Sequence, residues 1–254
     1  MKNKVVVVIP IYKKKLSESE QLSLERCRKT IIFVAPQDFQ SDYTQENKII
    51  YFPKHYFEGI EGYNALMLSP IFYEKFLEYE YMLLYQLDAF VFRDELLEWC
   101  QKDVDYAGAA WIHHHKSWWK SLKNSIRAKI YVYRLRKKQN AQSDLKLGFI
   151  TYKKVGNGGF SLRKIDNIIK ILYLYPNWIQ KIIASKIPED VFLSVLVNLY
   201  QPNQLKILPF YQGIQFAFEM FPSYAYKINN YQLPFGCHDF EDWEPSFWKD
   251  NQFI

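Results

Sequence analysis

An α/β fold with a mostly parallel central sheet flanked by helices is predicted by two observations on the sequence. In the first hundred residues, short β-branched or aromatic runs alternate with segments of helical spacing, the pattern of a parallel sheet with helices on both faces. The 254 residues are 49% hydrophobic and 18% aromatic, which is enough for one large core and excludes disorder. We therefore expect a single domain over residues 1–254, with a basic, aromatic insertion at 112–146.

Each element of the first half follows from a local pattern. KVVVVIPIY predicts a buried first strand, SESEQLSLERCRKT a helix, and IIFVAP and KIIYFP two more strands. Ser69 and Pro70 favour the start of a helix in SPIFYEKFLEYE, with Ser69 as its N-cap. The run YMLLYQLDAFVF, Tyr81 to Phe92, predicts one strand. RDELLEWCQKD then predicts a short helix, and VDYAGAAW a strand that enters a loop.

The second half is less regular. Residues 112–146 are basic, with a helix expected in their middle, and the chain after Gln201 is rich in loops. VGNGGFSLRK, at 155–164, predicts a glycine-rich turn, with Ser161 available to cap the helix that follows in KIDNIIKILYLY. PEDVFLSVLVNLY predicts another helix. In such folds, ligands bind at the carboxyl ends of the strands.

The net charge of +6 comes from one segment. Residues 116–138 contain nine basic residues and no acid, and without them the net charge is −3. This local patch argues against a protein that coats nucleic acid. Two alternatives stay open for its helix: the apolar face lies on an anionic membrane, or it packs on its own domain. The face consists of Trp118, Trp119, Leu122, Ile126, Ile130 and Tyr133, with Lys120, Lys123, Arg127 and Arg134 around it.

The compartment is predicted from the cysteines and the apolar runs. Cys27, Cys100 and Cys237 are an odd, widely spaced set without a CxxC motif, which favours a reducing environment. The apolar run at 5–11 is too short for a signal peptide, and no run is long enough to span a membrane. We expect a cytoplasmic protein; membrane contact through 116–138 would place it on the inner face of the plasma membrane.

Asp88 is a lone carboxylate in an apolar run, where an uncompensated charge is costly. It caps the following turn or pairs with Arg93, or it binds a Mg²⁺ or Mn²⁺ ion that holds a diphosphate. The glycines around Asn157 indicate either a turn with positive φ or the close approach of another group.

Three further groups of residues are candidates for chemistry. Glu189 and Asp190 either complement a helix dipole or supply a base for a sugar hydroxyl, and a depressed pKa would keep such a base ionised. His238, in LPFGCHDF, is either structural or a second ligand for the ion on Asp88. The histidines at 113–115 are a rival metal site, although three consecutive imidazoles do not easily converge on one ion.

Taken together, the motifs carry a resemblance over about residues 1–240. They resemble a family of bacterial proteins of unknown function that looks like GT-A-fold glycosyltransferases, and the later motifs are similar to those of fringe-like glycosyltransferases. The resemblance implies a GT-A-like domain with a nucleotide-binding half and an acceptor half. The motifs are, in order, SPIFYEKF, YEYMLLYQLDAFVFRDELLEWC, DYAGAAW, VGNGGFSLR, PEDVF and LPFGCH.

The resemblance also implies roles for individual residues. QLD occupies the slot of an Asp-x-Asp metal motif, so Asp88 matches the metal-binding Asp, while Gln86 replaces the first Asp and is left to contact a ribose. His238 matches a late metal-binding His, and Asp190, with Glu189 beside it, matches the catalytic base. Two pairs complete the site: Gly158 and Gly159 on the acceptor side, and Pro10 and Tyr12 at the nucleotide base.

The expected activity is a glycosyltransferase that takes its sugar from a nucleotide-sugar donor with Mn²⁺ or Mg²⁺. The acceptor would be a glycan or glycolipid of bacterial surface polysaccharide, capsule or lipopolysaccharide, and Asp190 as base would invert the anomeric carbon. Two alternatives remain: a glycoside hydrolase that uses Asp88 and Asp190, and a non-catalytic protein that binds carbohydrate or membrane.

Overall fold

The computed structural model describes residues 2–27, 29–44, 47–113, 118–137 and 145–254. Nine strands lie in these ranges: β1 Asn3–Pro10, β2 Ile31–Pro36, β3 Lys48–Phe52, β4 Tyr79–Tyr85, β5 Ala89–Val91, β6 Tyr106–Ala110, β7 Val155–Lys164, β8 Ala217–Phe218 and β9 Gly236–His238.

The helices of the described residues are mostly short. They are α1 Glu18–Arg26, α2 Gly59–Met67, α3 Pro70–Glu74, α4 Leu96–Gln101, α5 Trp118–Lys137, α6 Leu147–Ile150, α7 Ile165–Leu174, α8 Pro176–Ala184, α9 Glu189–Val191, α10 Val197–Tyr200, α11 Phe210–Phe216, α12 Pro222–Ile228 and α13 Pro245–Asp250. A π-helical segment, Phe192–Leu196, joins α9 to α10, and 3₁₀ turns occur at Asp42–Thr44 and Lys54–Phe57.

Six strands form the central sheet in the order β3-β2-β1-β4-β7-β6. Strands β1 to β4 are parallel, and β7 runs antiparallel between β4 and β6. Buried apolar side chains cover both faces of this sheet in two clusters, as a parallel sheet between helices requires. The predicted α/β class with a mostly parallel central sheet is therefore confirmed.

The apolar run from Tyr81 to Phe92 is two strands, and the prediction of a single strand is wrong. Residues up to Tyr85 belong to β4 of the central sheet, whereas Ala89–Val91 form β5 of a second, three-stranded sheet with the order β5-β9-β8. Ala89 N donates to Gln86 O at 2.9 Å, which closes a turn between the two strands. Periodicity misses this break because the residues on both sides of it are buried apolar groups.

The glycine-rich segment is a strand, so the predicted turn is also wrong. Ser161 lies buried in the middle of β7 and caps no helix, because α7 begins four residues later at Ile165. In the segment at 69–80, the helix α3 ends at Glu74, and the Ser69 side chain makes no capping hydrogen bond. The helix expected in the middle of 112–146 is present as α5.

Candidate active site

A cleft of about 660 Å³ opens at the carboxyl ends of β1 and β4. The sheet order reverses between these strands, because β2 lies on the other side of β1, and ligands of open α/β sheets bind at such a switch point. Pro10 and Tyr12 line the cleft from the end of β1, and Gln86 and Asp88 line it from the end of β4. The other aromatic side chains in its walls are Tyr43, Tyr56, Phe57 and Tyr63.

Asp88 lies in the turn between β4 and β5 and meets His238 there. Ala89 pairs with His238 in the register of β5 and β9, and Asp239 N donates to Asp88 O at 2.9 Å. His238 Nε2 lies 3.1 Å from Asp88 Oδ1 and 3.2 Å from Gln86 Oε1. The second sheet thus brings together residues of two distant motifs. The alternative partner of Asp88, Arg93, instead contacts Glu95.

The pair of Asp88 and His238 is charged. Burial opposes a positive charge on His238, but the carboxylates of Asp88 and Glu219 outweigh it and raise the pKa of the imidazole to about 10. Burial likewise favours neutral Asp88, yet its interaction with the imidazolium holds the pKa of that carboxyl below its ordinary value. Glu219 Oε1 lies 3.4 Å from the second ring nitrogen, Nδ1. At neutral pH the structure therefore contains an imidazolium between two carboxylates.

The donor atoms around His238 fit a divalent ion. No three His, Cys, Asp or Glu side chains form a metal-binding group within the part of the chain that the structure describes, so Gln86 must supply the third atom. Adjacent ligands of an octahedral ion with bonds of about 2.1 Å lie about 3 Å apart, close to the two distances at Nε2. Asp88 Oδ1 is buried and faces the imidazolium nitrogen at 3.1 Å, and a metal cation would take the place of the nitrogen-bound proton beside it. Binding must displace the imidazole proton.

Asn157 forms a bulge in β7 beside this pair. The register against β6 jumps from Ser161, opposite Gly108, to Gly156, opposite Ala109. Asn157 has a φ of 91°, and its side-chain oxygen accepts hydrogen bonds from Gly159 N and Phe160 N, both at 2.9 Å. Bulges of this kind re-aim groups next to active sites.

The glycines of the bulge make room for neighbouring side chains. A Cβ on Gly159 would lie 2.0 Å from His238 Nε2, and one on Gly158 would lie 2.5 Å from Glu189 Oε1. Neither glycine has a positive φ. Of the two interpretations of this segment, close approach is therefore correct, and the approaching groups belong to the protein itself.

Asp190 approaches the same bulge from the start of α9. Its Oδ2 accepts a hydrogen bond from Asn157 N and its Oδ1 one from Val191 N, both at 2.8 Å. Burial and the neighbouring Glu189 raise the pKa of Asp190 to about 7. The expectation of a depressed pKa is wrong, because burial and a second carboxylate outweigh the two amide hydrogen bonds. A carboxyl with this pKa exchanges a proton near neutral pH.

Glu189 turns into the core, away from Asp190. Its Oε1 lies 2.7 Å from Arg163 Nη2, and both side chains are buried. Arg163 also donates to Tyr73 Oη at 2.7 Å and to Ser161 Oγ at 3.0 Å. Glu189 is thus the ion-pair partner of the buried Arg163 guanidinium.

The cleft does not reach Asp190, Gly158 or His238, none of which lines it. Tyr63 connects the two parts: it lines the cleft and donates its hydroxyl hydrogen to Gly158 O at 2.8 Å. Pro10, Tyr12, Gln86 and Asp88 do face the cleft. The predicted residues therefore form a cleft face and a second row along β7 behind it.

The rival histidine site is only partly described. His113 packs on Tyr152, with ring centroids 5.0 Å apart, and His114 and His115 lie outside the described residues.

Sequence reasoning missed Glu219, Arg163 and Asn157. Glu219 stands alone in QFAFEMF, the same signal of a lone charge in an apolar run that singled out Asp88. Arg163 at the end of GGFSLR carries no such signal, because its burial follows only once that segment is a central strand.

Three solved structures show what this chain is similar to. Mouse xyloside xylosyltransferase 1 in its apo form aligns with 94% of this chain and 97% of its own, at 9% identity and a TM-score of 0.49. The glycosyltransferase GlyE of Streptococcus pneumoniae TIGR4 aligns in its apo form at 15% identity with a TM-score of 0.46, and in a second structure at 15% and 0.45. These alignments cover 93% and 94% of this chain but 54% and 55% of GlyE, so the chain spans about half of that protein.

The sequence comparisons identify the family. Among curated proteins, none matches the sequence. A family model described as "Protein of unknown function (DUF5672)" matches residues 46–238, a range that includes the cleft turn at Asp88, the bulge of β7 and His238. The predicted resemblance to a family of unknown function is thereby confirmed, and the chain belongs to that family.

Proposed function

We propose that this protein is a glycosyltransferase that transfers a sugar from a nucleotide-sugar to a hydroxyl of a glycan or lipid-linked acceptor, in the synthesis of bacterial surface polysaccharide or lipopolysaccharide. The observation that supports it most is the contact of His238 with Asp88 and Gln86, which line the cleft at the carboxyl ends of β1 and β4. Ligand pockets span about 300–1,000 Å³, which includes this cleft at about 660 Å³.

The charge of the cleft favours a cation-dependent donor. Lys13 is its one basic lining residue in the described part of the chain, and it pairs with Glu20 at 2.7 Å. A diphosphate would be repelled by the carboxylates unless a cation neutralised them. Those carboxylates are Glu20, Asp88, Asp239, Glu241 and Asp242.

Asp88, Gln86 and His238 would hold Mn²⁺ or Mg²⁺. Such an ion supplies positive charge for the diphosphate that leaves the sugar. Pro10 and Tyr12, at the opposite wall, would contact the nucleotide base, because the exposed tyrosine ring offers an apolar face for stacking.

Asp190 is the proposed base. With a pKa of about 7, it can take the proton of an acceptor hydroxyl at neutral pH while that oxygen attacks the anomeric carbon from the face opposite the diphosphate. The configuration at that carbon is thereby inverted.

Thermal unfolding with a panel of nucleotide-sugars, with and without Mn²⁺ or Mg²⁺, tests the proposal. At a hundredfold excess over its dissociation constant, the correct donor should raise the melting temperature by about 5–10 °C. Asp88→Ala and His238→Ala should each remove the metal-dependent part of this rise. Asp250→Ala, an exposed acid on α13, should leave it unchanged.

Two results would contradict the proposal. If both site variants respond to donor and metal as the wild type does, the site assignment fails. If the protein releases free sugar from a glycan without any nucleotide, it is a glycoside hydrolase.

A further inference from the structure

Helix α5 is held to the protein by one face. Ala128 and Leu135 are buried, and Tyr131 and Val132 pack beside the core cluster that contains Leu135. The Tyr131 ring lies 5.6 Å from that of Phe149, and its hydroxyl accepts a hydrogen bond from Lys146 N at 2.9 Å. These contacts fix which side of the helix faces solvent.

The opposite face carries a second apolar stripe, which is exposed. Leu122, Ile126 and Ile130 are 40%, 50% and 46% exposed, and Trp119 and Tyr133 are exposed at either end. At about 100° per residue, the five side chains fall within an arc of about 80°, centred opposite Leu135. The described side chains of the expected apolar face are thus at least 40% exposed, which favours the membrane alternative; the side chain of Trp118 lies outside the described residues.

Basic side chains border this stripe on both sides. Lys123, Arg127 and Arg134 are exposed along one edge, and Lys129 and Arg136 along the other. The helix contains no acidic residue. The side chains of Trp118, Lys120 and Lys137, and the residues Lys116 and Lys138 at the ends of the basic segment, lie outside what the structure describes.

We infer that α5 lies on the surface of a membrane that contains anionic phospholipid, with the apolar stripe in the headgroup region. The charge pattern selects this partner: an apolar strip between two rows of bases matches the boundary between acyl chains and anionic headgroups. A soluble polyanion would neutralise the bases but leave the apolar stripe in water. No described helix is long and apolar enough to cross the bilayer, so the contact is peripheral.

The segment that contains α5 is connected to the central sheet at the edge where the cleft opens. Strand β6 is parallel to β1 and β4, and Trp111 N, just past its end, donates to Lys154 O, just before β7, at 2.9 Å. The segment between them thus leaves the central sheet and returns to it at its carboxyl edge. A lipid-linked acceptor would suit this arrangement, but the docking does not depend on glycosyl transfer.

Vesicle flotation tests the inference directly. The full chain should float with vesicles that contain phosphatidylglycerol and should stay behind with vesicles of phosphatidylcholine alone, and high salt should weaken the binding. The triple variant Lys123→Glu, Arg127→Glu, Arg134→Glu should bind at least about a hundredfold more weakly, because each base near the surface contributes about fivefold. A matched control reverses Lys170, Lys181 and Lys249, which are exposed elsewhere, and should retain binding.

A second variant separates lipid from other partners. Ile126→Ser with Ile130→Ser keeps every charge, changes only exposed positions, and should also lose flotation while the circular dichroism spectrum stays that of the wild type. The inference is overturned if the wild type does not float, or if the control variant loses as much binding as the triple variant. It is also overturned if the double serine variant floats as the wild type does. The same holds if the wild type forms a concentration-dependent dimer without floating and the double serine variant loses that dimer.

Discussion

Two ion pairs flank the bulge of β7, and they differ in what surrounds them. The side chains of Arg163 and Glu189 are 0% and 1% exposed, whereas those of His238 and Asp88 are 12% and 43% exposed. Arg163 also donates to two hydroxyl oxygens in the core, Ser161 Oγ and Tyr73 Oη, while Asp88 borders an open cleft. The first pair can only hold the structure together, and the second can exchange its partner for a ligand.

The contrast extends to two adjacent residues of the chain. Glu189 is neutralised by Arg163, whereas its neighbour Asp190 has only backbone amide donors. Burial, together with the negative charge of Glu189, raises the pKa of Asp190 to about 7, because its two amide hydrogen bonds do not offset them. An acidic pair in a motif can thus combine one structural and one titratable carboxylate.

Removal of one partner from the buried pair should have the largest effect. Glu189→Ala leaves the Arg163 guanidinium unpaired in the core, and we expect the free energy of unfolding to fall by about 3–5 kcal/mol. Urea denaturation measures it. Asp103→Ala, which removes an exposed carboxylate from contacts with Lys164 and Lys206, is the control. Equal urea midpoints for Glu189→Ala and Asp103→Ala would refute the structural role assigned to Glu189.

A methyl group placed against His238 and Gln86 should have an intermediate effect. In Gly159→Ala, the new Cβ would lie 2.0 Å from His238 Nε2 and 2.5 Å from Gln86 Oε1. We expect a loss of about 1–3 kcal/mol and no metal-dependent response to donor in thermal unfolding. Gly148→Ala, whose Cβ would meet nothing within 4 Å, should match the wild type. A normal metal response in Gly159→Ala would rule out ligation by these two side chains.

A further effect is expected from pH, through Asp190. Because folding raises its pKa from 3.8 to about 7, the stability linked to its proton is complete below pH 4 and is lost as the pH rises through about 7. The variant Asp190→Asn carries a neutral side chain and lacks this loss. The melting temperature of the wild type minus that of the variant should therefore decrease from pH 5 to pH 8.

Two observations would check the assignment of Asp190. Glycosyl transfer by the wild type should rise with pH through about 7, as the base loses its proton. A melting-temperature difference that stays constant between pH 5 and pH 8 would show that Asp190 has no raised pKa.

Local signals allowed part of the first half of the fold to be predicted, although α2 was not predicted and the run from Tyr81 to Phe92 forms two strands. In α1, Ser17 and Glu20 form a reciprocal cap around a short helix, and the β-branched run of β1 is buried as its composition indicates. Such features depend on neighbours a few positions apart. The second sheet and the bulge at Asn157 depend instead on pairing between distant segments, which no local pattern contains.

The candidate site was predictable only in part, for the same reason. Asp88 and His238 stand out as charged or polar residues in apolar surroundings, and the structure brings them together. The pKa of Asp190 could not be inferred from its place at a helix start, because that position predicts a stabilised carboxylate. Burial of the carboxyl and the nearby carboxylates of Glu189 and Glu219 reverse the sign of the shift.

The pairing of β5 with β9 has a consequence for the order in which the protein acquires its site during synthesis. Gln86 and His238 are 152 positions apart, and a ribosome adds about 5–20 residues each second. Strands β1 to β4 can emerge and pair well before His238 exists. The nascent chain therefore spends its first seconds with an acidic turn that has no imidazole beside it, and the proposed ion site is complete only once β9 has been made.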